Sequence, residues 1–232
     1  MPTQKTFLFA GASSAIAKET AVLLRSKGHR VIGISRTTND DCYDQFFEVA
    51  HYEFGSFPAI EENLDGVVYF PGTINLKPFA RLSATEFRND LEINTLGAVA
   101  FLQSYLSNLK KSSSASVVLI STVAVSTGLP FHSSIAMAKG AIEGLTKSLA
   151  AELSPNIRVN CIAPSLVDTP LGNKFINTPE KLELMQKRNP LRKVGDVKDI
   201  ANAITFLLLD ESAWITGQIL AVDGGMGTIK NG

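Results

Sequence analysis

The stretch TFLFAGASSAIAKE, residues 6–19, decides the fold that we expect of this chain. An apolar, strand-like run ends at Gly11, and an Ala-rich segment of helical character follows it. Such a turn brings backbone N–H groups and a helix N-terminus to one point, where they can bind the pyrophosphate of a dinucleotide. Ala15 and Ala17 replace the later glycines of the usual fingerprint. An ordinary strand-to-helix turn is therefore the alternative.

Short apolar runs recur along the chain between longer segments of helical character. Runs that are apolar throughout indicate strands covered by helices on both faces. Their alternation with helices predicts a single α/β domain over residues 1–232, with a doubly wound, seven-stranded parallel sheet of the Rossmann type. The predicted strands are 6–11, 30–35, 45–50, 65–70, 116–122, 157–163 and 218–224, and the predicted helices are 15–27, 83–111 and 133–153. The connection 36–44 is too short and polar for a full helix.

Composition narrows the class of partner. Lys plus Arg and Asp plus Glu both total 22, so we expect a small-molecule substrate rather than nucleic acid or an anionic membrane. No apolar stretch approaches the roughly 18 residues of a membrane span, and the N-terminus lacks the features of a signal peptide. Cys42 and Cys161 have neither metal-site nor redox-pair spacing. We therefore expect a cytoplasmic protein with free thiols and no metal site.

The end of the second predicted strand bears on the choice of cofactor. NAD sites place a carboxylate about 20 residues beyond the glycine turn, whereas NADP sites place an arginine near the 2′-phosphate. Ser35 stands at the acidic position and Arg36 follows it. The planar guanidinium group suits a phosphate. The sequence therefore favours NADP(H), and the alternative is that Arg36 is a solvated loop charge.

Seven segments follow one another in an order that is typical of one enzyme family: GASSAIA, EINTLGA, IST, AKGAIEGLTKSLAAEL, IRVNCIAPSLVDTPL, NPLRKVG and AWITGQILAVDGG. In this order they resemble the short-chain dehydrogenase/reductases, over residues 11–225. The resemblance implies a one-domain Rossmann fold, a nicotinamide cofactor and a homo-tetramer or homo-dimer. In relatives the subunit contacts come from the helices around 83–111 and 133–153 and from the C-terminal VDGGMGTIKNG.

The resemblance also implies which residues of this chain contact the cofactor. Carried over, Gly11, Ser13, Ser14 and Ile16 line the pyrophosphate turn, Glu48 and Val49 lie by the adenine, Pro71 and Gly72 lie under the adenosine ribose, and Pro164, Ser165, Val167 and Thr169 cup the nicotinamide. The family usually has Asn-Asn-Ala-Gly at residues 69–72, where this chain reads Tyr-Phe-Pro-Gly. We therefore expect the fourth strand to be braced in another way.

The catalytic positions of the family are present here with one exception. Asn94 matches the asparagine that holds a proton-relay water, Lys139 matches the lysine that binds the nicotinamide ribose, and Thr122 matches the active serine. The family's tyrosine, four residues before the lysine, falls on Ile135. Isoleucine has no proton to donate, and loss of a general acid typically costs about 10²–10⁴-fold in rate. The usual mechanism therefore needs another proton donor.

His132 is the first candidate for that donor. On a continuous helix it would lie about 20° from Lys139 in projection, and imidazole can act as an acid or a base near neutrality. The enoyl reductases of the family place their tyrosine at this YxxxxxxK spacing, although their cofactor turn is longer. The alternative is a histidine that only caps the helix or faces solvent. A second route passes a proton from Lys139 through the ribose hydroxyl and a water on Asn94, with Thr122 holding the substrate oxygen.

Residues 166–192 follow the sixth strand, where the family places its substrate lid. Four apolar side chains there could cover a partly apolar substrate or only pack the lid against the body: Phe175, Ile176, Leu182 and Met185. We expect an NADP(H)-dependent oxidoreductase that acts on a carbonyl, an alcohol or an activated double bond with a non-standard proton donor. The alternative is an NADP(H)-binding pseudoenzyme, a sensor or inactive partner subunit without redox turnover.

Overall fold

One parallel sheet of seven strands lies at the centre of the computed structural model, which describes residues 3–37 and 41–229. Its strands are β1 (Thr6–Ala10), β2 (Arg30–Ser35), β3 (Gln45–Glu48), β4 (Gly66–Tyr69), β5 (Ala115–Ile120), β6 (Ile157–Pro164) and β7 (Ile219–Val222). Their order across the sheet is β3-β2-β1-β4-β5-β6-β7. The sheet confirms the predicted doubly wound α/β fold, and all seven predicted strands are present.

Helices cover both faces of this sheet. They are α1 (Ala15–Ser26), α2 (Ala84–Leu91), α3 (Gly97–Leu109), α4 (Ala124–Thr127), α5 (Ser133–Leu153), α6 (Pro179–Arg188) and α7 (Val197–Leu208). The predicted helices 15–27 and 133–153 are confirmed as α1 and α5. The predicted helix 83–111 is wrong as one continuous α-helix, because the π turn Glu92–Leu96 separates α2 from α3.

Strand side chains alternate between two cores. On β1, Phe7 and Phe9 point to the core that α1 and α7 cover, whereas Leu8 points to the core that α3 and α5 cover. All three are fully buried. Burial on both faces explains why the strand sequences are apolar throughout rather than alternating.

The connection between β2 and β3 is abbreviated, as predicted. Residues 36–37 and 41–44 form bends and turns rather than helix. Residues 38–40 of the same connection lie outside the described part of the chain, so the prediction for 36–44 is tested only at its two ends.

The surface of the described residues carries two apolar features. Leucines of α3 and α5 line an open groove between these helices: Leu102, Leu106, Leu109, Leu145, Leu149 and Leu153. Elsewhere Trp214, in the turn that precedes β7, is 99% exposed. None of the helices within residues 3–37 and 41–229 has both the length and the apolar character needed to cross a bilayer.

Candidate functional site

The carboxyl ends of β1 and β4 meet where the strand order reverses. Gly11 leaves β1 with φ of 74°, and a Cβ there would lie 2.8 Å from Cδ of Pro71. The left-handed backbone and this close approach both require glycine. The N–H of Ala12 donates to the carbonyl of Ile34 at 3.0 Å, which fixes the turn to β2. The crevice at such a reversal is where doubly wound sheets bind ligands.

The N-terminus of α1 opens into this crevice. Ser14 is the N-cap of α1, but its side chain makes no capping hydrogen bond and the first turn contains no acidic residue. The N–H groups of a first helical turn have no partner inside the helix, and the helix dipole favours a negative group there. Ser13 is exposed, and Ser14 and Ile16 are half-buried. This turn therefore leaves room and unpaired N–H groups for an anion, and the pyrophosphate role of Ser13, Ser14 and Ile16 stays a prediction.

The end of β2 lies beside the same turn. The hydroxyl of Ser35 is buried and donates to Oγ of Ser13 at 2.9 Å. Arg36 is exposed, and its guanidinium lies 5.5 Å from the ring centroid of Tyr52. A cation–π contact of this kind orients the planar guanidinium group. An exposed guanidinium therefore follows the residue that is hydrogen-bonded to the glycine turn.

The predicted adenine residues follow β3 along the same edge of the sheet. The N–H of Val49 donates to the carbonyl of Ser35 at 2.9 Å, so the chain after β3 is held against the end of β2. Val49 is nearly buried, whereas Glu48 is exposed. Both residues therefore lie next to the residue that precedes Arg36.

Tyr69, at the end of β4, braces the strand where the resemblance to the family predicts Asn-Asn-Ala-Gly. The hydroxyl of Tyr69 donates to the carbonyl of Ile93, in the π turn, at 2.8 Å. Burial raises the pKa of Tyr69, so this hydroxyl stays a donor. A Cβ on Gly97 would overlap the Tyr69 hydroxyl. Glycine at residue 97 thus lets Tyr69 reach the π turn, and this is the bracing that the sequence left unidentified.

Asn94 and Lys139 meet at Gly72. Asn94 is fully buried in the π turn, and its Nδ2 donates to Oγ1 of Thr73 and to the carbonyl of Asp90, both at 2.8 Å. A Cβ on Gly72 would lie 3.1 Å from Oδ1 of Asn94 and 3.5 Å from Nζ of Lys139. The structure therefore brings together two of the four predicted catalytic residues, from the π turn and α5, at a predicted cofactor residue.

Lys139 lies almost buried between α5 and the end of β5. Its Nζ donates to the carbonyl of Ile120 at 2.8 Å. Burial lowers the pKa of Lys139 to about 8, because the protein interior solvates an ammonium group poorly. This lysine is therefore protonated at neutral pH and gives up its proton more readily than an exposed lysine.

The remaining catalytic candidates lie near the start of α5 and the end of β5. Oγ1 of half-buried Thr122 accepts the N–H of Ala124 at 3.3 Å. Ile135 is buried within α5. His132 is the N-cap of α5 and precedes the helix, so the shared helix face that the sequence suggested for His132 and Lys139 does not apply.

The hydrogen bond of His132 fixes the tautomer of its neutral ring. Nδ1 lies 2.8 Å from the carbonyl of Pro130, and a carbonyl can only accept. Nδ1 therefore carries the proton, and Nε2 of the neutral ring is unprotonated. In this form His132 is a base rather than an acid.

The predicted nicotinamide segment follows β6. The carbonyl of Pro164 accepts the N–H of Val123 at 3.1 Å, which places this strand end beside Thr122. Oγ of Ser165 donates to the carbonyl of Asp223 at 3.2 Å. Thr169 Oγ1 accepts the N–H of Gly172 at 3.1 Å. These contacts hold the segment at the carboxyl edge of the sheet.

The predicted lid contains a 3₁₀ turn, Asn173–Phe175, and α6. Lys174 reaches across from it and donates to the carbonyl of Ile74, in the loop after β4, at 2.9 Å. The four apolar side chains of the lid that the sequence singled out are half-buried: Phe175, Ile176, Leu182 and Met185. The segment therefore lies over the carboxyl edge of β4.

Sequence reasoning missed the residues that support this site. Thr73 and Asp90 hold Asn94, and neither was identified. The spacing of Asp90 and Asn94, one helical turn apart, was the signal that could have found one of them. Within the described ranges there is no group of three or more His, Cys, Asp or Glu residues that could hold a metal ion.

Comparison with known proteins adds independent evidence. A family profile described as "Enoyl-(Acyl carrier protein) reductase" matches residues 38–227. L-xylulose reductase of Homo sapiens is 32% identical over 232 residues, which cover 94% of each chain. Carbonyl reductase (NADPH) 2 of Sus scrofa is 30% identical over the same share of each chain. The structure of ligand-free aldohexose dehydrogenase from Thermoplasma acidophilum superposes with a TM-score of 0.88 at 25% identity, covering 99% of this chain and 97% of that one.

Proposed function

The chain belongs to the short-chain dehydrogenase/reductase family, and from that premise we propose that it is an NADP(H)-dependent oxidoreductase working without the family's tyrosine. Its substrate would be a carbonyl compound, the corresponding alcohol or an activated double bond. One observation carries the proposal: Oδ1 of Asn94 and Nζ of Lys139 converge on Gly72. They lie 3.1 and 3.5 Å from the position that a Cβ added to Gly72 would take. A buried ammonium and an amide held together at a predicted cofactor residue suit proton delivery.

The residues along the carboxyl edge of the sheet would hold the cofactor. Its nicotinamide ring would supply or accept the hydride. The glycine turn and the N-terminus of α1 suit the pyrophosphate, and the segment that starts at Pro164 would face the nicotinamide. Arg36 supports NADP(H) over NAD(H), because its guanidinium is exposed beside the turn and Ser35 offers no carboxylate to repel a phosphate. The carbonyl reductase among the relatives names NADPH as its cofactor.

Lys139 is the better candidate for the proton donor in reduction. The pKa of Lys139 is lowered to about 8, and an acid whose pKa lies near the working pH is efficient in proton transfer. Lys139 would hold the ribose of the cofactor and donate the proton, Asn94 would hold a relay water, and Thr122 would hold the substrate oxygen. Neutral His132 offers an unprotonated Nε2, so it suits the reverse reaction, where a base removes the proton.

Buried Ile135 favours a second function, NADP(H) binding without redox turnover. The side chain that replaces the tyrosine is only 4% exposed and can neither donate a proton nor stabilise an oxyanion. Under this alternative the cofactor edge would be retained for sensing or for a partner subunit. We also propose a substrate lid at residues 166–192, a homo-dimer or homo-tetramer, and a cytoplasmic location.

A substrate-panel assay separates the two functions. We expect wild type to oxidise NADPH with at least one carbonyl compound, Lys139→Met to lose turnover and His132→Ala to keep most of it. Arg36→Leu should weaken NADPH binding while leaving NADH binding unchanged, and Arg88→Leu on exposed α2 is the matched control. If wild type turns over nothing, while Ile135→Tyr gains activity, the protein binds the cofactor without using it.

A further inference from the structure

A continuous chain of hydrogen bonds, buried at both ends and half-buried at Thr73, connects Asn94 to the start of α5. We call it the Asp90 chain, and its members are Asn94, Thr73, Asp90 and Ser134. Nδ2 of Asn94 donates to Oγ1 of Thr73 at 2.8 Å, and Thr73 Oγ1 donates to Oδ1 of Asp90 at 2.6 Å. Ser134 Oγ donates to the other carboxylate oxygen, Oδ2. Asp90 is 3% exposed, and Asn94 and Ser134 are fully buried.

The donors and acceptors determine the direction of each bond. An ionised carboxylate only accepts, so the hydroxyls of Thr73 and Ser134 both point toward Asp90. The lone pairs of Thr73 Oγ1 are then available to Asn94. Both N–H groups of Asn94 are used, by Thr73 and by the carbonyl of Asp90. Its Oδ1 accepts the N–H of Thr73 at 3.3 Å and keeps a lone pair for the space at Gly72.

Asp90 joins three segments that carry the site. Through Thr73 it holds the loop after β4, which contains Gly72. Through Ser134 it holds the start of α5, which carries Lys139, and Asp90 itself lies in the last turn of α2, just before the π turn. Each hydroxyl donates to its own carboxylate oxygen, Thr73 to Oδ1 and Ser134 to Oδ2. A side chain with one acceptor oxygen could not hold both hydroxyls in their present positions.

We infer that Asp90 is a positioning residue: its carboxylate orients the hydroxyl of Thr73 and thereby holds the Asn94 carboxamide oxygen toward Gly72 and Lys139. The consequence for turnover rests on the proposed function, in which Asn94 carries the relay water. The orientation of Asn94 itself does not depend on that function. The two parts are therefore tested separately.

The first test measures hydrogen exchange of the Asn94 side-chain amide by NMR on the full chain labelled with ¹⁵N-asparagine. Its signal is assigned from its absence in Asn94→Asp. We expect exchange to become about five- to tenfold faster in Asp90→Leu and in Thr73→Val, because each variant loses a hydrogen bond of the chain. Thr73→Ser, which keeps the hydroxyl, should restore slow exchange.

Thr95→Val is the matched control for the exchange experiment. The hydroxyl of Thr95 also ties the π turn to α5, by donating to the carbonyl of Ala138 at 2.8 Å in a buried position. Among the described residues, its hydroxyl makes no hydrogen bond with the Asp90 chain. Exchange of the Asn94 amide should therefore stay within about twofold of wild type, a smaller change than the roughly fivefold expected for a lost bond. Unchanged exchange in both Asp90→Leu and Thr73→Val overturns the inference, as does an equal effect of Thr95→Val.

The second test measures kinetics on the same variants. We expect kcat to fall about 10- to 100-fold in Asp90→Leu and Thr73→Val, as for a small displacement of a positioned group, with KM and the NADPH dissociation constant changed little. Asp90→Asn keeps one acceptor oxygen and should lose less. Equal loss of kcat and of NADPH affinity would overturn a positioning role. If wild type has no turnover, the proposed function fails, and the exchange experiment still decides the orientation of Asn94.

Discussion

At the residue scale, Ile135 has no hydroxyl to offer, so the proposed proton route depends on the polar residues around it. Asn94, Thr122 and Lys139 each make a hydrogen bond. Of the three side chains, that of Lys139 is the strongest acid. The chemistry that the family divides between a tyrosine and a lysine would here fall on the lysine alone. The pH dependence of the reaction is the property that this division changes.

We expect kcat for carbonyl reduction to fall as pH rises through about 8. Burial lowers the pKa of Lys139 to about 8, so the protonated form that reduction needs is lost above that pH. Alcohol oxidation, which needs the deprotonated form, should rise over the same range. Steady-state pH profiles with NADPH and with NADP⁺ measure both directions.

Arginine at residue 139 supplies the control for this profile. Guanidinium stays protonated throughout the accessible range and cannot release a proton. Lys139→Arg should therefore lose most of the turnover, and its residual rate should show no change near pH 8. Lys147→Arg, at an exposed position of the same helix, should keep it. A change near pH 8 that persists in Lys139→Arg would assign the titration to another group.

The roles of residues could be predicted from the sequence where they depend on local backbone conformation or where the residue belongs to a recognisable motif. Gly11 follows a strand and needs φ above zero, and Asn94 and Lys139 occur in recognisable segments. Thr73, Asp90 and Ser134 could not be predicted as a unit. Their hydrogen bonds join three separate segments, and only the tertiary packing brings those segments together.

At the element scale, the π turn between α2 and α3 is the feature that sequence periodicity did not show. The capping box of Ser83 and Glu86 starts α2. Apolar spacing then runs through residues 83–111 with no helix breaker that demands a π turn. The extra residue of such a turn shifts the register of the helix and directs Asn94 inward. Gly97 and Tyr69 stabilise this arrangement from two sides.

Gly97→Ala should destabilise the protein by about 1–3 kcal/mol, as overpacking typically does. The added Cβ would overlap the Tyr69 hydroxyl and lie 2.8 Å from the carbonyl of Tyr52. Urea unfolding measures the change in the free energy of unfolding. In the Tyr69→Phe background part of the cost should disappear, because the overlapping hydroxyl is gone.

Gly144→Ala is the matched control. A Cβ there meets nothing within 4 Å, and residue 144 lies inside α5. This variant should gain roughly 0.5–1 kcal/mol from the higher helix propensity of alanine. Equal stability of Gly97→Ala and wild type would contradict the brace described for Tyr69.

At the whole-molecule scale, the fold could be predicted because its periodicity is strong. Strands buried on both faces, a glycine turn after the first strand and helices between strands leave few alternatives to a doubly wound sheet. The strand order, which sets the meeting of β1 with β4, follows from the family resemblance and not from periodicity. The sequence predicts a lid over residues 166–192 because this segment follows β6, but the contact of Lys174 with Ile74 depends on tertiary packing.

The groove between α3 and α5 predicts self-association. Half-buried leucines that line an open groove between two helices suit a second copy of the same helix pair. We expect Leu149→Glu to shift the protein toward the monomer in sedimentation equilibrium, because a carboxylate would be buried between subunits. Leu184→Glu, at an exposed position on α6, should leave the mass unchanged. A wild-type protein that sediments as a monomer at high concentration would contradict the prediction.

Trp214 gives this association an optical signal. It is the sole tryptophan of the chain, and its side chain is 99% exposed, so the emission of the isolated subunit should have the long wavelength of indole in water. Trp214 precedes β7 and lies on neither helix of the groove. A blue shift of the emission at higher protein concentration would therefore indicate that a neighbouring subunit also covers the β7 edge. Association with an unchanged emission wavelength would restrict the contact to the groove.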